Sequence, residues 1–189
     1  MPGKTVAILG TLDTKGAEYA FLRDRIRDAG AATLVIDAGT VGPPAFAPDV
    51  SAAAVAAAGA RPLADLAAAN DRGRAVAVMS AGAAAVARRL LDEGRIDGIV
   101  AMGGGGGTMI GTAAMRALPV GFPKLMVSTL ASGDVSRYVD VKDITMMPSV
   151  VDIAGLNRLS RRIIANAAAA IAGMVLAPPP AAEAGDRPL

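Results

Sequence analysis

The chain has no cysteine, no histidine and no tryptophan. Without cysteine there is no disulfide scaffold, thiolate nucleophile or soft-metal ligand. Without histidine the usual general base, proton shuttle and zinc ligand is missing, so serine–histidine triads and zinc sites are excluded. Aromatic residues make up only 3%, which leaves branched aliphatics, methionine and alanine to fill the core. No charge of one sign dominates either, because 19 Lys and Arg face 17 Asp and Glu for a net charge of +2. The pI near 9.3 follows from a small Arg excess and the missing His, and no nucleic-acid footprint is visible. The apolar stretch after Lys4 is too short for a secretory segment, and Asp13 follows soon after it. Residues 163–177 are uncharged, yet these 15 mostly small residues fall short of the ~20 that span a bilayer. The expectation is a cytoplasmic chain with neither a membrane nor a nucleic-acid partner.

What is present suits one domain: 189 residues, 53% hydrophobic, enough to bury a core. Short apolar runs end in Gly, Ser, Thr or Asp and mostly precede a helical pattern, the alternation of βα units around a parallel sheet. Strands are expected over residues 5–9, 33–36, 98–102, 124–129 and 144–147. Helices are expected over residues 14–29, 75–93, 108–118 and 156–176. Gly30 and Gly94 stand where helices end. Val76, Met79, Ala83, Val86 and Leu90 recur at helical spacing as a core-facing stripe. Residues 49–72 are an Ala-rich excursion, weakly specified, with Asp49 and Ser51 as capping candidates. Residues 1–177 form the expected folded unit, and residues 178–189, rich in Pro and Ala, read as a linker toward a second domain outside this chain. The fold class expected is α/β: a doubly wound, mainly parallel, five-stranded Rossmann- or flavodoxin-like sheet in the order 2-1-3-4-5.

In such a sheet ligands bind beyond the carboxyl ends of the strands, where helix N-termini converge. The first of these loops, Gly10-Thr11-Leu12-Asp13-Thr14-Lys15-Gly16, offers close backbone approach, two hydroxyls, a carboxylate and one of the chain's four lysines. It reads as a phosphate-holding turn with Asp13 as a partner for metal-bound water; an ordinary capped turn has the same composition. The strongest signal is Gly103-Gly104-Gly105-Gly106-Gly107-Thr108 between the third strand and a helix. Successive glycines lose much backbone entropy on folding, so a compensating ligand is expected, with N–H groups wrapping a phosphate and Thr108 both capping the helix and donating a hydroxyl. Neither turn matches the P-loop or the Rossmann spacing. Asp37, at the end of the second strand, stands where an acid receives ribose hydroxyls. Ser128, Thr129, Ser132 and Gly133 form a fourth loop able to meet phosphate or sugar. Asp152 reads as an N-cap or a structural carboxylate, the methionines as core filler, and Asp134, Asp140, Asp143, Arg137 and Lys142 as a solvated cluster. No nucleophile paired with a base emerges, no catalytic residue is assigned, and no pattern places metal ligands.

Taken together, the first loop through Glu18, Gly103 to Thr108, Leu118-Pro119-Val120-Gly121-Phe122-Pro123-Lys124, Ser128-Thr129-Leu130-Ala131-Ser132-Gly133 and Pro148-Ser149-Val150-Val151-Asp152-Ile153 carry a resemblance. They resemble the bacterial and plant family related to the tomato mosaic virus resistance protein, over nearly the whole folded part. The resemblance implies an ATP-binding N-terminal domain of a larger, dimeric, two-domain protein without an established catalytic activity. Magnesium can accompany such a nucleotide. The plant member's viral partner does not carry over. The alternative is half an enzyme active site for a phosphorylated metabolite, completed by the missing domain. A third possibility is a regulatory module that uses nucleotide to fix a surface.

Overall fold

The computed structural model describes residues 3–69 and 71–178. Five parallel strands form one sheet in the order β2-β1-β3-β4-β5: β1 Thr5–Gly10, β2 Ala32–Asp37, β3 Gly98–Gly103, β4 Lys124–Ser128 and β5 Thr145–Pro148. Seven helices accompany them: α1 Leu12–Asp28, α2 Ala52–Ala58, α3 Leu63–Ala69, α4 Arg72–Asp92, α5 Gly105–Arg116, α6 Ser136–Val139 and α7 Arg158–Leu176. The α/β class and strand order match the expectation. The expected linker lies outside the described residues beyond Pro178.

Strand alternation divides the core into two layers. Val6 and Ile8 of β1, with Val100 and Met102 of β3, face α1 and α7; Ala7 and Leu9, with Ile99 and Ala101, face α2, α4 and α5. Because helices cover both faces, the central strands are apolar throughout. The predicted stripe on α4 is real, with Met79, Ala83, Val86 and Leu90 buried. Gly30 and Gly94 both adopt positive φ just past the ends of α1 and α4. Helix α7 is long and apolar enough to cross a membrane, yet Ile164, Ala167, Ala168 and Ile171 lie against the sheet layer.

Several local expectations change. Helix α4 begins at Arg72 rather than at residue 75, capped by Asp71, which accepts from the Arg74 amide at 3.0 Å. Asp152 is exposed and caps nothing; α7 begins later, where Asn157 and Ser160 form a capping box. Met109 is 49% exposed, so it is not core filler, whereas Met102, Met115 and Met126 are. Ser51 does cap α2, accepting from the Ala54 amide at 3.2 Å. Asp49 instead accepts from the Val35 amide at 2.7 Å, while Val50 pairs with Ile36 to cover the outer edge of β2.

At the amino end of the sheet, the Lys124 side chain is fully buried and its ammonium lies 2.7 Å from Asp143, with the Pro119 and Phe122 carbonyls as further acceptors. Burial pushes the Asp143 carboxyl up, but hydrogen bonds from Lys124 and the Gly121 amide outweigh it and hold the group below the usual carboxylate range. A lowered folded value means that this stability is present above the unfolded pKa near ~4 and is lost as pH falls through the folded value. The urea-derived stability of Asp143→Asn should therefore lie below the parent's at neutral pH by about 1 kcal/mol, since the acid is half exposed. The two should converge as pH falls through the lowered folded-state value of Asp143.

Candidate functional site

The strand order reverses between β1 and β3, and in open α/β sheets the crevice at that reversal is where ligands bind. A cleft of about 690 Å³ opens there, and the turns after β1 and β3 both line it. Thr11, Asp13, Thr14 and Lys15 come from the first turn; Gly104, Gly106 and Gly107 come from the second. The two turns singled out from sequence thus share one cavity.

The first turn is not a regular helix start. Thr11 caps α1 without a side-chain hydrogen bond, and Lys15 departs from helical geometry at φ −132°, ψ 29°. Asp13 ties this turn to the loop after β2, its Oδ2 accepting from the Val41 amide at 2.8 Å and the Gly42 amide at 3.3 Å. Its Oδ1 is buried without a hydrogen-bond partner among the described residues. Lys15 lines the cleft and also donates to the Ile153 carbonyl, pinning the segment that follows β5. Gly10 itself is glycine for packing. A Cβ there would sit 1.9 Å from the Tyr19 ring, which is fully buried. The Tyr19 hydroxyl donates to the Met102 carbonyl at 2.5 Å and accepts from the Met102 amide at 2.9 Å. Desolvation by burial pushes that phenol well above its ordinary range, so it stays a neutral donor.

The second turn is shorter than the run of glycines implies. Helix α5 starts at Gly105, with Gly104 as its N-cap, so Gly105, Gly106 and Gly107 form the first helical turn. Thr108 is therefore not the cap. Its amide already bonds the Gly104 carbonyl at 2.8 Å, and its buried hydroxyl lies 2.7 Å from the Ser128 hydroxyl. Glycine has no side chain to cap with, so the opening N–H groups of α5 remain open to a ligand, at the positive end of a helix dipole. Thr129 abuts this turn, with its Oγ1 3.5 Å from where a Gly104 Cβ would be. Ser132 and Gly133 are exposed, and none of the four loop residues Ser128, Thr129, Ser132 and Gly133 lines the cleft.

Asp37 does not line the cleft. It is 2% exposed and accepts from the Leu12 amide at 3.1 Å and the Gly39 amide at 2.9 Å, joining the loops after β1 and β2. Burial, with Asp13 close by, raises its pKa against these hydrogen bonds. A raised folded value means ionisation costs folding stability as pH rises. Asp37→Asn should keep the accepting oxygen and leave the urea-derived stability within about 1 kcal/mol of the parent at pH 7. Asp37→Ala should orphan two amides and lose about 2–4 kcal/mol.

The sequence reading missed the wall opposite. The excursion at 49–72 folds into α2 and α3, and Leu66 and Ala67 of α3 enclose the cleft with Val76 and Met79 of α4 and Ile110 of α5. Arg72, the first residue of α4, lines the cleft too; its Nη2 is 3.9 Å from where a Gly106 Cβ would stand. The available signal was Asp71 followed by Arg72, an N-cap just ahead of the apolar stripe. The cleft is thus divided: one end carries the open N–H groups of α5 with Lys15 and Arg72, and the other is apolar. Its two acids are already engaged with backbone amides, Asp13 through Oδ2 and Asp71 through the cap. Among the described residues no cluster of three or more acids could hold a metal ion.

Residues 4–180 match the model of the family described as "Uncharacterised protein family (UPF0261) N-terminal domain". A UPF0261 protein of Clostridium tetani is 51% identical over 186 residues, covering 98% of this chain and 46% of the relative. One from Rhizobium meliloti is 50% identical, covering 98% of this chain and 45% of the relative. The ToMV resistance protein Tm-1 of Solanum lycopersicum is 43% identical over 108 residues, 57% of this chain and 14% of that protein. The chain therefore spans less than half the length of these relatives, which implies a second domain in the full-length proteins. With the match running through both cleft turns, the chain belongs to the UPF0261 family and corresponds to its N-terminal domain.

Proposed function

We propose that the cleft binds a phosphorylated nucleotide, with ATP as the ligand, its phosphates at the uncapped start of α5 and its base in the apolar end. The observation that carries this reading is the meeting of the two turns with Arg72 on one cavity. Open helix N–H groups and two cations favour a multiply charged anion. The apolar wall of Leu66, Val76, Met79 and Ile110 favours a ligand with a flat, weakly polar body, and the volume suits one of that size. Magnesium would travel with the phosphates, and Asp13 Oδ1, the unpaired buried oxygen, is the acceptor nearest in kind to its water shell. Calorimetry should show ATP binding to the chain, with adenosine binding far more weakly. Lys15→Ala and Arg72→Ala should each weaken ATP about tenfold, one lost charge-assisted contact apiece.

The extra length of the relatives favours one further reading, in which the second domain completes the site and the ligand is a phosphorylated metabolite. Turnover of such a compound by a full-length relative, with binding alone by this chain, would support it.

A further inference from the structure

A second recess, of about 240 Å³, lies between α4, α5 and α6 and shares no lining residue with the cleft. Two arginines meet there. Arg116, at the end of α5, donates through Nη1 to the Tyr138 carbonyl at 2.5 Å and to Thr112 Oγ1 at 3.4 Å. Arg137 donates through Nη2 to the Tyr138 hydroxyl at 2.8 Å, and its guanidinium lies 4.7 Å from the centre of that ring. Both are held in place by one tyrosine. Neither forms an ion pair with a carboxylate among the described residues, although Asp134 lies close enough to feel the charge of Arg137.

A third polar group completes the set. The Ser80 hydroxyl, on the same recess, is buried with no hydrogen-bond partner among the described residues. Such a donor has given up water without return, which marks a place where a ligand oxygen would accept a hydrogen bond. The remaining lining of Ala77, Ala113 and the half-exposed Met109 is apolar. Two guanidinium groups beside a free hydroxyl match a planar oxyanion; the small apolar floor matches a short hydrocarbon body. The recess is far too small for a nucleotide.

We propose that this recess is a second binding site, for a small organic carboxylate. Its carboxylate is held by Arg116 and Arg137 and accepts from the Ser80 hydroxyl, and its aliphatic part rests on Ala77, Ala113 and Met109. The test is an NMR titration of the 189-residue chain carrying 13C-methyl methionine, at constant ionic strength, with butyrate, 1-butanol and inorganic phosphate as probes. Butyrate should shift the Met109 methyl resonance along a saturable curve, and butanol should not. Arg137→Gln changes an exposed residue, so the fold is kept, and it should weaken butyrate at least about tenfold. Arg137→Lys should restore part of that loss, and Ser80→Ala should weaken binding on its own. Absence of saturation up to roughly 50 mM, a millimolar-limit affinity, would overturn the site, as would an unchanged affinity in Arg137→Gln. Phosphate binding more tightly than butyrate would overturn the ligand class.

Discussion

Gly106→Val should abolish the proposed ATP binding while leaving the fold in place. The glycine is the second residue of α5 and lines the cleft. A Cβ at this position would lie 3.4 Å from Val76 Cγ2 and 3.9 Å from Arg72 Nη2, close but tolerable contacts. A valine fits the protein but occupies the space in front of the α5 amides, where the proposal puts a phosphate. Affinity should drop by at least about a hundredfold, equivalent to ~2.7 kcal/mol, while the thermal midpoint of the ligand-free chain moves by only a few degrees. Calorimetry and a melting curve on the same sample decide between the two effects. Undiminished ATP binding would remove the second turn from the site.

Gly10→Ala should do the opposite, destabilising the fold without adding a group in the cleft. The added Cβ would stand 1.9 Å from Tyr19 Cζ inside a ring site that is fully buried. The ring must move, and moving it breaks both hydrogen bonds to Met102, immediately before the glycine turn. Overpacking together with two orphaned backbone groups costs about 3–5 kcal/mol, a large share of a domain's ~5–15 kcal/mol. In a Tyr19→Leu background the clash partner is gone, so the same substitution should cost less than about 1 kcal/mol. The double-mutant cycle measured by urea unfolding reads that coupling directly. A small effect of Gly10→Ala in the parent would return Gly10 to the list of ligand contacts.

These two glycines show where the sequence was legible and where it was not. Both turns were visible, because they stand at the carboxyl ends of strands, where ligands bind in such sheets. The meeting of the turns followed from strand order. Why a given glycine is glycine was not visible: Gly10 answers to a ring nine residues away in the chain, and Gly106 answers to the cleft. The start of α5 was misplaced because glycine's poor helix propensity argued for a loop up to Thr108. Packing of Ile110, Ala114 and Met115 on the sheet overrides that propensity. Asp37 was placed on the ribose side by its position at a strand end, but position alone does not say whether a carboxylate faces solvent or the amides of Leu12 and Gly39. The excursion at 49–72 gave the weakest signal. Alanine fits any short helix, so only tertiary contact decides that α3 and the start of α4 close the cleft.

The most direct test of the account is a 15N–1H spectrum of the chain titrated with magnesium and ATP. The amides of Gly105, Gly106 and Gly107 should shift together with those of Asp13, Thr14 and Lys15 along one saturating curve. The account is contradicted if ATP leaves the glycine amides where they were, whether it binds at some other surface or not at all.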